Sequence, residues 1–219
     1  MAKEGYPILN TLFLTALLLI FLFYFTGVKI FLGSGITAVF ISGFVAFFFR
    51  DPTRKIPTGP GLIVSPADGR VVAVQEEECD YLGGDAIRIS IFLSIFDVHI
   101  NRAPATARIA RIDYLKGRFW GAWKNKASTQ NEQTCIDMDC GEYKIRVRQI
   151  AGFIARRIVC RLQESQSVSR GERFGLIKFG SRTDIIIPKS SKLCVTLNDK
   201  VKGASTILAL LPPKTENKT

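Results

Sequence analysis

Two long stretches without charge open the chain. Residues 5–28 contain no Asp, Glu, Lys or Arg, and neither do residues 30–49. Each runs to about 20 residues, which at about 1.5 Å per residue matches a hydrocarbon core of about 30 Å. The pattern predicts two membrane helices, about 7–26 and 30–49, joined by a tight turn at residues 26–29, so that residues 1–50 form a membrane hairpin. A signal peptide fits less well. The first stretch is long for an h-region, it lacks a small-x-small cleavage site, and a second apolar stretch follows at once. Gly33, Ser34, Gly35 and Gly43 make the second stretch less lipophilic, which keeps a re-entrant or interfacial hairpin as the alternative.

Beyond Arg50 the pattern changes. Residues 50–61 (RDPTRKIPTGPG) are a Pro/Gly-rich connector and mark the boundary of a second domain, residues 51–219. Short apolar runs follow. Residues 62–64 lead into a Pro66-Ala67-Asp68-Gly69 turn and a strand at 70–74. Residues 86–93 (AIRISIFL) alternate, with Ile87, Ile89, Ile91 and Leu93 on one face. Further strands are expected at 106–115, 143–149, 153–160, 176–179, 184–187, 194–197 and 207–211. Residues 117–133, with Phe119, Trp120 and Trp123, read as a polar loop or short helix, and 212–219 as a tail. Turn signals about every eight to twelve residues argue for a mainly β sandwich or barrel. Residues 63–74 and 201–209 resemble the opening and closing strands of biotinyl/lipoyl-type barrel-sandwich hybrids, which implies a domain of that kind.

Charge refines the picture. The formal net charge is +11. A basic domain tethered to a membrane predicts an anionic lipid surface as its partner. Nucleic acid is not expected, because no helix-turn-helix, aromatic RNA-binding signature or Cys/His finger is present. Lys3 precedes the hairpin and Arg50, Arg54 and Lys55 follow it, whereas only Lys29 lies in its turn. The positive-inside rule then places both ends, and the whole second domain, on the cytoplasmic side of the cell membrane. Five cysteines at irregular spacing (Cys79, Cys135, Cys140, Cys160 and Cys194) read as free thiols there. With a single histidine in the chain, no metal site is expected.

Candidate chemistry is sparse. In residues 171–188 (GERFGLIKFGSRTDIIIP) a Gly180-Ser181 pair separates two apolar runs. Its local pattern is that of a β-hairpin tip; the alternative is a bond that the chain breaks itself. His99, the only histidine, follows an apolar strand and suits proton transfer near neutral pH. Asp68 is a common turn residue that could also orient His99, with Asp97 as a rival for that role. Ser181, His99 and Asp68 would make a hydrolase-like set, but no G-x-S-x-G elbow surrounds the serine.

Several segments then carry a family likeness: Phe48-Phe49-Arg50-Asp51-Pro52, Ser65-Pro66-Ala67-Asp68-Gly69, residues 96–104 (FDVHINRAP), 147–152 (VRQIAG), 155–159 (ARRIV) and 173–182 (RFGLIKFGSR). Together they resemble phosphatidylserine decarboxylase proenzymes of the short, archaeal-type branch, over nearly all of residues 48–182. The likeness implies self-cleavage between Gly180 and Ser181, into a β chain of residues 1–180 and an α chain of residues 181–219. Ser181 would become a covalent pyruvoyl group, with His99, oriented by Asp68, as the proton carrier. It implies decarboxylation of phosphatidylserine to phosphatidylethanolamine through a Schiff base on that group. The serine headgroup of a diacyl lipid and that of an archaeal ether lipid (archaetidylserine) would serve equally. Arg102, Arg156 and Arg157 are candidates for the lipid phosphate, and an apolar strand edge would suit a homodimer. One departure stands out. The longer bacterial branch has a second histidine where Arg102 stands here, so His99 must serve both reactions or share them with another group. A membrane-anchored binding module and a membrane-bound serine hydrolase are the competing readings; neither would cut the chain.

Overall fold

The computed structural model describes residues 1–121, 127–152, 157–178 and 180–211. It divides into two compact units, Met1–Thr53 and Arg54–Thr219. Trp123, the first half of the strand expected at 153–160 and the tail expected at 212–219 lie outside the described residues.

In the first unit, α1 (Tyr6–Thr26) and α2 (Lys29–Phe48) pack against each other. α1 carries a Pro in its first turn, where the missing N–H would have had no helical partner. It stops at Gly27, whose φ of +68° lets its N–H close on the Phe23 carbonyl. The helices meet at small residues: a Cβ on Gly35 would lie 2.9 Å from Ile20 Cγ1, and Ala16 is buried beside it. Thr11, Thr15, Thr37 and Ser42 each donate their hydroxyl to the carbonyl four residues back, which leaves these hydroxyls bonded within their own helix. Leu14, Phe21, Tyr24, Ile30 and Phe40 point outward. Both helices are long and apolar enough to cross a membrane, and most of their surface faces away from the protein.

The second unit is mainly β. Among the described residues, one antiparallel sheet has the order β13-β2-β3-β11-β7-β6-β5-β9. Its strands are β2 (Gly69–Cys79), β3 (Gly84–Leu93), β5 (Ala107–Leu115), β6 (Gln133–Asp139), β7 (Lys144–Ile150), β9 (Ser167–Val168), β11 (Ser181–Pro188) and β13 (Lys200–Val201). Two three-stranded sheets accompany it. One joins β1 (Leu62–Val64), β14 (Ile207–Leu210) and β12 (Lys192–Leu193); the other joins β4 (Ile100–Arg102), β10 (Arg173–Ile177) and β8 (Ile158–Cys160). A four-residue helix, α3 (Ala127–Gln130), lies in the segment read as loop or short helix. The stretches likened to opening and closing strands do pair, Ile63 with Ala209 and Gly69 with Val201. The core is built from Ile63, Ile89, Ile91, Leu93, Ile109, Ile136, Met138, Val147, Phe174, Ile185 and Leu208.

Three differences from the pattern-based reading have physical causes. β6 escaped the pattern because Asp137 stands between Ile136 and Met138; it is buried in the sheet because Arg146 Nε meets its carboxylate at 2.5 Å. Residues 194–197 form no strand, since the Asp199 carboxylate accepts from both the Thr196 N–H and its hydroxyl and bends the chain there. The third difference concerns residues 171–188. β10 and β11 do not form a hairpin. β10 pairs with β4 and β8, whereas β11 lies between β3 and β7, with both of its edges already filled.

β11 is buried on both faces from Ser181 to Ile187. Ile185 and Ile187 join the core, with Ser181 and Thr183 on the same side by alternation. The other side holds Arg182 and Asp184, both fully buried, with Nε to Oδ1 at 2.6 Å. Arg182 also donates to Ser90 Oγ, and Ser128 Oγ donates to Asp184 Oδ2 at 2.8 Å. Removing one partner of such a pair strands the other charge away from water. Asp184→Ala is therefore expected to lose about 3–5 kcal/mol in chemical denaturation; a loss below about 1 kcal/mol, typical of an exposed pair, would show that the guanidinium does not depend on Asp184.

Candidate active site at the Gly180-Ser181 bond

The site assembles where β3 ends. Ser181, the first residue of β11, pairs with Leu93, the last residue of β3. The chain then turns through Ser94–Asp97, closed by the Asp97 N–H on the Ser94 carbonyl, and presents His99 just before β4. The Gly180 N–H points at His99 Nε2, 3.4 Å away. The loop after β3 therefore meets the crossover from β10 to β11, two segments that lie far apart in the chain.

Gly180 has a φ of +61°, and a Cβ placed there would meet nothing within 4 Å. Glycine is needed for its backbone angle and not for space. Ser181 is fully buried, and its Oγ has no hydrogen-bond partner among the described residues. A buried hydroxyl without a partner forgoes a bond it would make in water, a cost that ordinary packing avoids.

His99 is 2% exposed. Its Nδ1 lies 2.9 Å from the Asp97 backbone carbonyl. A carbonyl oxygen only accepts, so Nδ1 carries the proton, and in the neutral ring Nε2 keeps its lone pair on the Gly180 side. The Nε2 lone pair is thereby turned toward Gly180, where it accepts from the Gly180 N–H. The cysteine of the neighbouring sheet, Cys160, is no rival nucleophile: burial pushes its thiol above the usual range, which favours the unreactive neutral form.

The remaining predicted residues divide. Asp68 sits in its turn, with both carboxylate oxygens on Arg54 Nη2 at 2.8 and 2.6 Å and Oδ1 also accepting from the Gly203 N–H at 2.8 Å. The group that His99 Nδ1 meets is the Asp97 carbonyl and not the Asp68 carboxylate. The turn still abuts the site, because the Pro66 carbonyl accepts from the Arg102 N–H at 2.9 Å. The Asp97 carboxylate bonds the N–H and hydroxyl of Ser94, shaping the turn that carries His99. Arg102 is buried and donates to the Gly171 carbonyl at 3.2 Å. Arg157 is exposed, just before β8, where its carbonyl accepts from the Lys178 N–H. Arg156 lies outside the described residues. Among those that are described, no three His, Cys, Asp or Glu side chains gather to hold a metal.

Sequence reasoning assigned no role to a buried polar cluster beside Ser181. Asn101 Nδ2 donates to Thr183 Oγ1 at 3.0 Å, and Gln149 Nε2 donates to Asn101 Oδ1 at 2.9 Å. Thr183 and Gln149 stand opposite each other on β11 and β7, so the cluster ties the large sheet to β4 one alternation away from the serine. Both Asn101 and Gln149 fall within segments singled out by likeness, but no local pattern places a β4 side chain against the Thr183–Gln149 pair of β11 and β7.

The His99 geometry makes a spectroscopic prediction. Because the chain has one histidine, its 15N signals need no assignment. In uncleaved Ser181→Ala protein the neutral ring should show Nδ1 protonated and Nε2 bare; the opposite tautomer would overturn the assignment of the base.

With the geometry in hand, comparison with known proteins is informative. The family described as phosphatidylserine decarboxylase matches residues 41–209. Proteins named phosphatidylserine decarboxylase proenzyme are similar along nearly the whole chain. That of Paraburkholderia xenovorans (strain LB400) is 39% identical over 213 residues, covering 96% of each chain. That of Symbiobacterium thermophilum is 40% identical over 213 residues, covering 96% of this chain and 95% of its own. That of Burkholderia pseudomallei (strain K96243) is 39% identical over 214 residues, with the same coverage. The similarity extends well past residues 48–182, where the motifs carried it, and takes in the hairpin as well. The chain belongs to the phosphatidylserine decarboxylase family.

Proposed function

We propose that this protein decarboxylates phosphatidylserine to phosphatidylethanolamine at a membrane surface, using a pyruvoyl group that it makes from Ser181 by cutting its own Gly180-Ser181 bond. The observation that carries the reading is the buried, partnerless Ser181 hydroxyl beside a left-handed Gly180 whose N–H meets His99 Nε2. The residues present fit the group: a serine at the start of a fully paired strand, next to a base and closed off from water.

Self-cleavage follows from those residues. Ser181 Oγ attacks the Gly180 carbonyl carbon as His99 Nε2 takes the hydroxyl proton, and the amide becomes an ester with a free Ser181 amine. The Nδ1–H bond to the Asp97 carbonyl supports the imidazolium that results. Loss of the Ser181 α-proton expels the Gly180 carboxylate, and water then replaces the amine nitrogen, which leaves as ammonia. Gly180 permits the attack by holding a backbone angle that other residues resist, by about 1–2 kcal/mol. Afterwards residues 181–219 stay in place, because β11 remains laddered to β3 and β7.

In the second reaction the pyruvoyl group supplies an electron-withdrawing carbonyl that binds the substrate amine and stabilises the carbanion left by CO2. His99, protonated at Nε2, delivers the proton to the substrate α-carbon. Arg102 occupies the position of the second histidine of the longer branch, and its guanidinium serves the Gly171 carbonyl, so His99 carries both steps. Asp68 supports the site through Arg54 and the turn, and Arg157 is the accessible choice for the lipid phosphate. The hairpin tethers the domain on the cytoplasmic side, where an anionic leaflet favours the chain's net charge of +11.

Intact-mass measurement of the purified protein tests this. Two chains are expected, residues 1–180 and 181–219, the smaller one blocked by a pyruvoyl group. Ser181→Ala and His99→Ala should each remain full length and inactive. A single chain in an active preparation would refute the self-processing reading, and normal processing of His99→Ala would remove His99 from the first reaction.

A further inference from the structure

One end of the β4-β10-β8 sheet collects unlike features. β4 begins after His99, β10 ends at Ile177 before Lys178, and β8 begins after Arg157, so in this antiparallel arrangement all three lie at the same end. The Ile177 N–H to the His99 carbonyl and the Lys178 N–H to the Arg157 carbonyl, both 3.3 Å, draw them together. The scissile pair is at that end too, through the Gly180 contact with His99. Just before His99 the chain exposes two large apolar side chains, Ile95 at 37% and Phe96 at 65%. They sit at the tip of a turn whose one acid, Asp97, faces inward to Ser94.

This Ile-Phe tip is mounted on a hydrogen-bonded turn. The turn is closed by the Ser94–Asp97 bonds, and His99 behind it is fixed to the Asp97 carbonyl. Arg157 is exposed near by, and the Lys178 backbone adjoins it. Apolar side chains with an exposed cation at the same end of the sheet suit the interface of an anionic bilayer: the apolar groups displace lipid headgroups while the cation meets phosphate.

We infer that the Ser94–Asp97 turn is a bilayer-inserting tip, with Ile95 and Phe96 dipping below the headgroups so that the His99–Ser181 site stands at the level of the phosphoserine. The inference rests on the proposed lipid decarboxylase activity for its purpose, though not for its geometry. It assigns the tip a task distinct from that of the hairpin. The hairpin confines the domain to the membrane, and the tip orients the site toward it. Substrate then need not leave the bilayer, since only its headgroup has to rise past the two side chains.

Two measurements on the full-length, membrane-reconstituted protein test this. In the first, Phe96→Trp is placed in a Trp120→Phe/Trp123→Phe background, which makes the introduced indole the sole tryptophan. The protein is reconstituted into vesicles with lipids brominated at shallow acyl positions. Quenching of the indole fluorescence is expected, and unquenched emission would overturn the proposal. This readout does not need self-cleavage, so it reports on the tip even if the decarboxylase reading fails. In the second, the Ile95→Ser/Phe96→Ser variant is compared with the parent. Processing to two chains should be unchanged. Activity on phosphatidylserine in vesicles should fall about tenfold, the worth of roughly one buried apolar side chain. Turnover of a short-chain, monomerically dissolved phosphatidylserine should stay within about twofold of the parent, because that lipid needs no docking. Equal losses on both substrates, or no loss on vesicles, would overturn the proposal, whereas absence of processing in the parent would instead refute the self-cleavage reading.

Discussion

Strand β11 sits between β3 and β7 with both faces covered, and the chain has to enter it from a different sheet, with only residues 178–180 to make the passage. Much else in the second unit follows from that constraint. A strand with two neighbours and two covered faces cannot receive its own predecessor as a hairpin partner, so β10 runs to β4 and β8 instead. The crossover must turn sharply, which a left-handed residue allows, and the residue that adopts a φ of +61° without strain is glycine. The serine that follows is immediately locked into the ladder and buried, with its hydroxyl denied the bonds that water would give it.

The same strand is held by buried polar groups on both of its sides. On one side Arg182 and Asp184 form a fully buried ion pair supported by Ser90 and Ser128; on the other, Thr183 joins Asn101 and Gln149. These polar groups are costly to bury singly and satisfied only in this register, so a slip of one residue would exchange Ser181 and Thr183 for Arg182 and Asp184 on the core side. The register that keeps the ion pair also starts the strand just after Gly180, whose N–H meets His99. The proposed break at Gly180-Ser181 would leave the ion pair and the Thr183–Asn101–Gln149 bonds in place.

Main chain helps to orient His99. Its Nδ1 bond to the Asp97 carbonyl lies within the turn whose shape Asp97 and Ser94 fix, so the imidazole is placed by local structure. Asp68, the residue that likeness puts forward as orienting group, is engaged by Arg54 and Gly203 in a turn that the Pro66 carbonyl joins to β4. Arg102, likewise, holds the Gly171 carbonyl from a buried position. Both side chains bond main-chain groups, the Gly203 N–H and the Gly171 carbonyl.

Much could be read from the amino-acid order because it depends on short-range physics. Uncharged runs of membrane length, Pro/Gly punctuation and the alternation in residues 86–93 are local properties, and they outlined the helices and the mainly β domain. Motif likeness added the candidate scissile bond. What the order of residues could not convey were the pairings between distant segments: that β11 fits between β3 and β7, that Asp137 is buried because Arg146 reaches it from the next strand, and that Asn101, Gln149 and Thr183 meet. Whether Gly180-Ser181 was a hairpin tip or a crossover was beyond any local pattern, because the two differ only in which strands lie beside β10 and β11. That choice belongs to the packing of the whole sheet, where burial on both faces and the matching of buried charges outweigh the preferences of a two-residue turn.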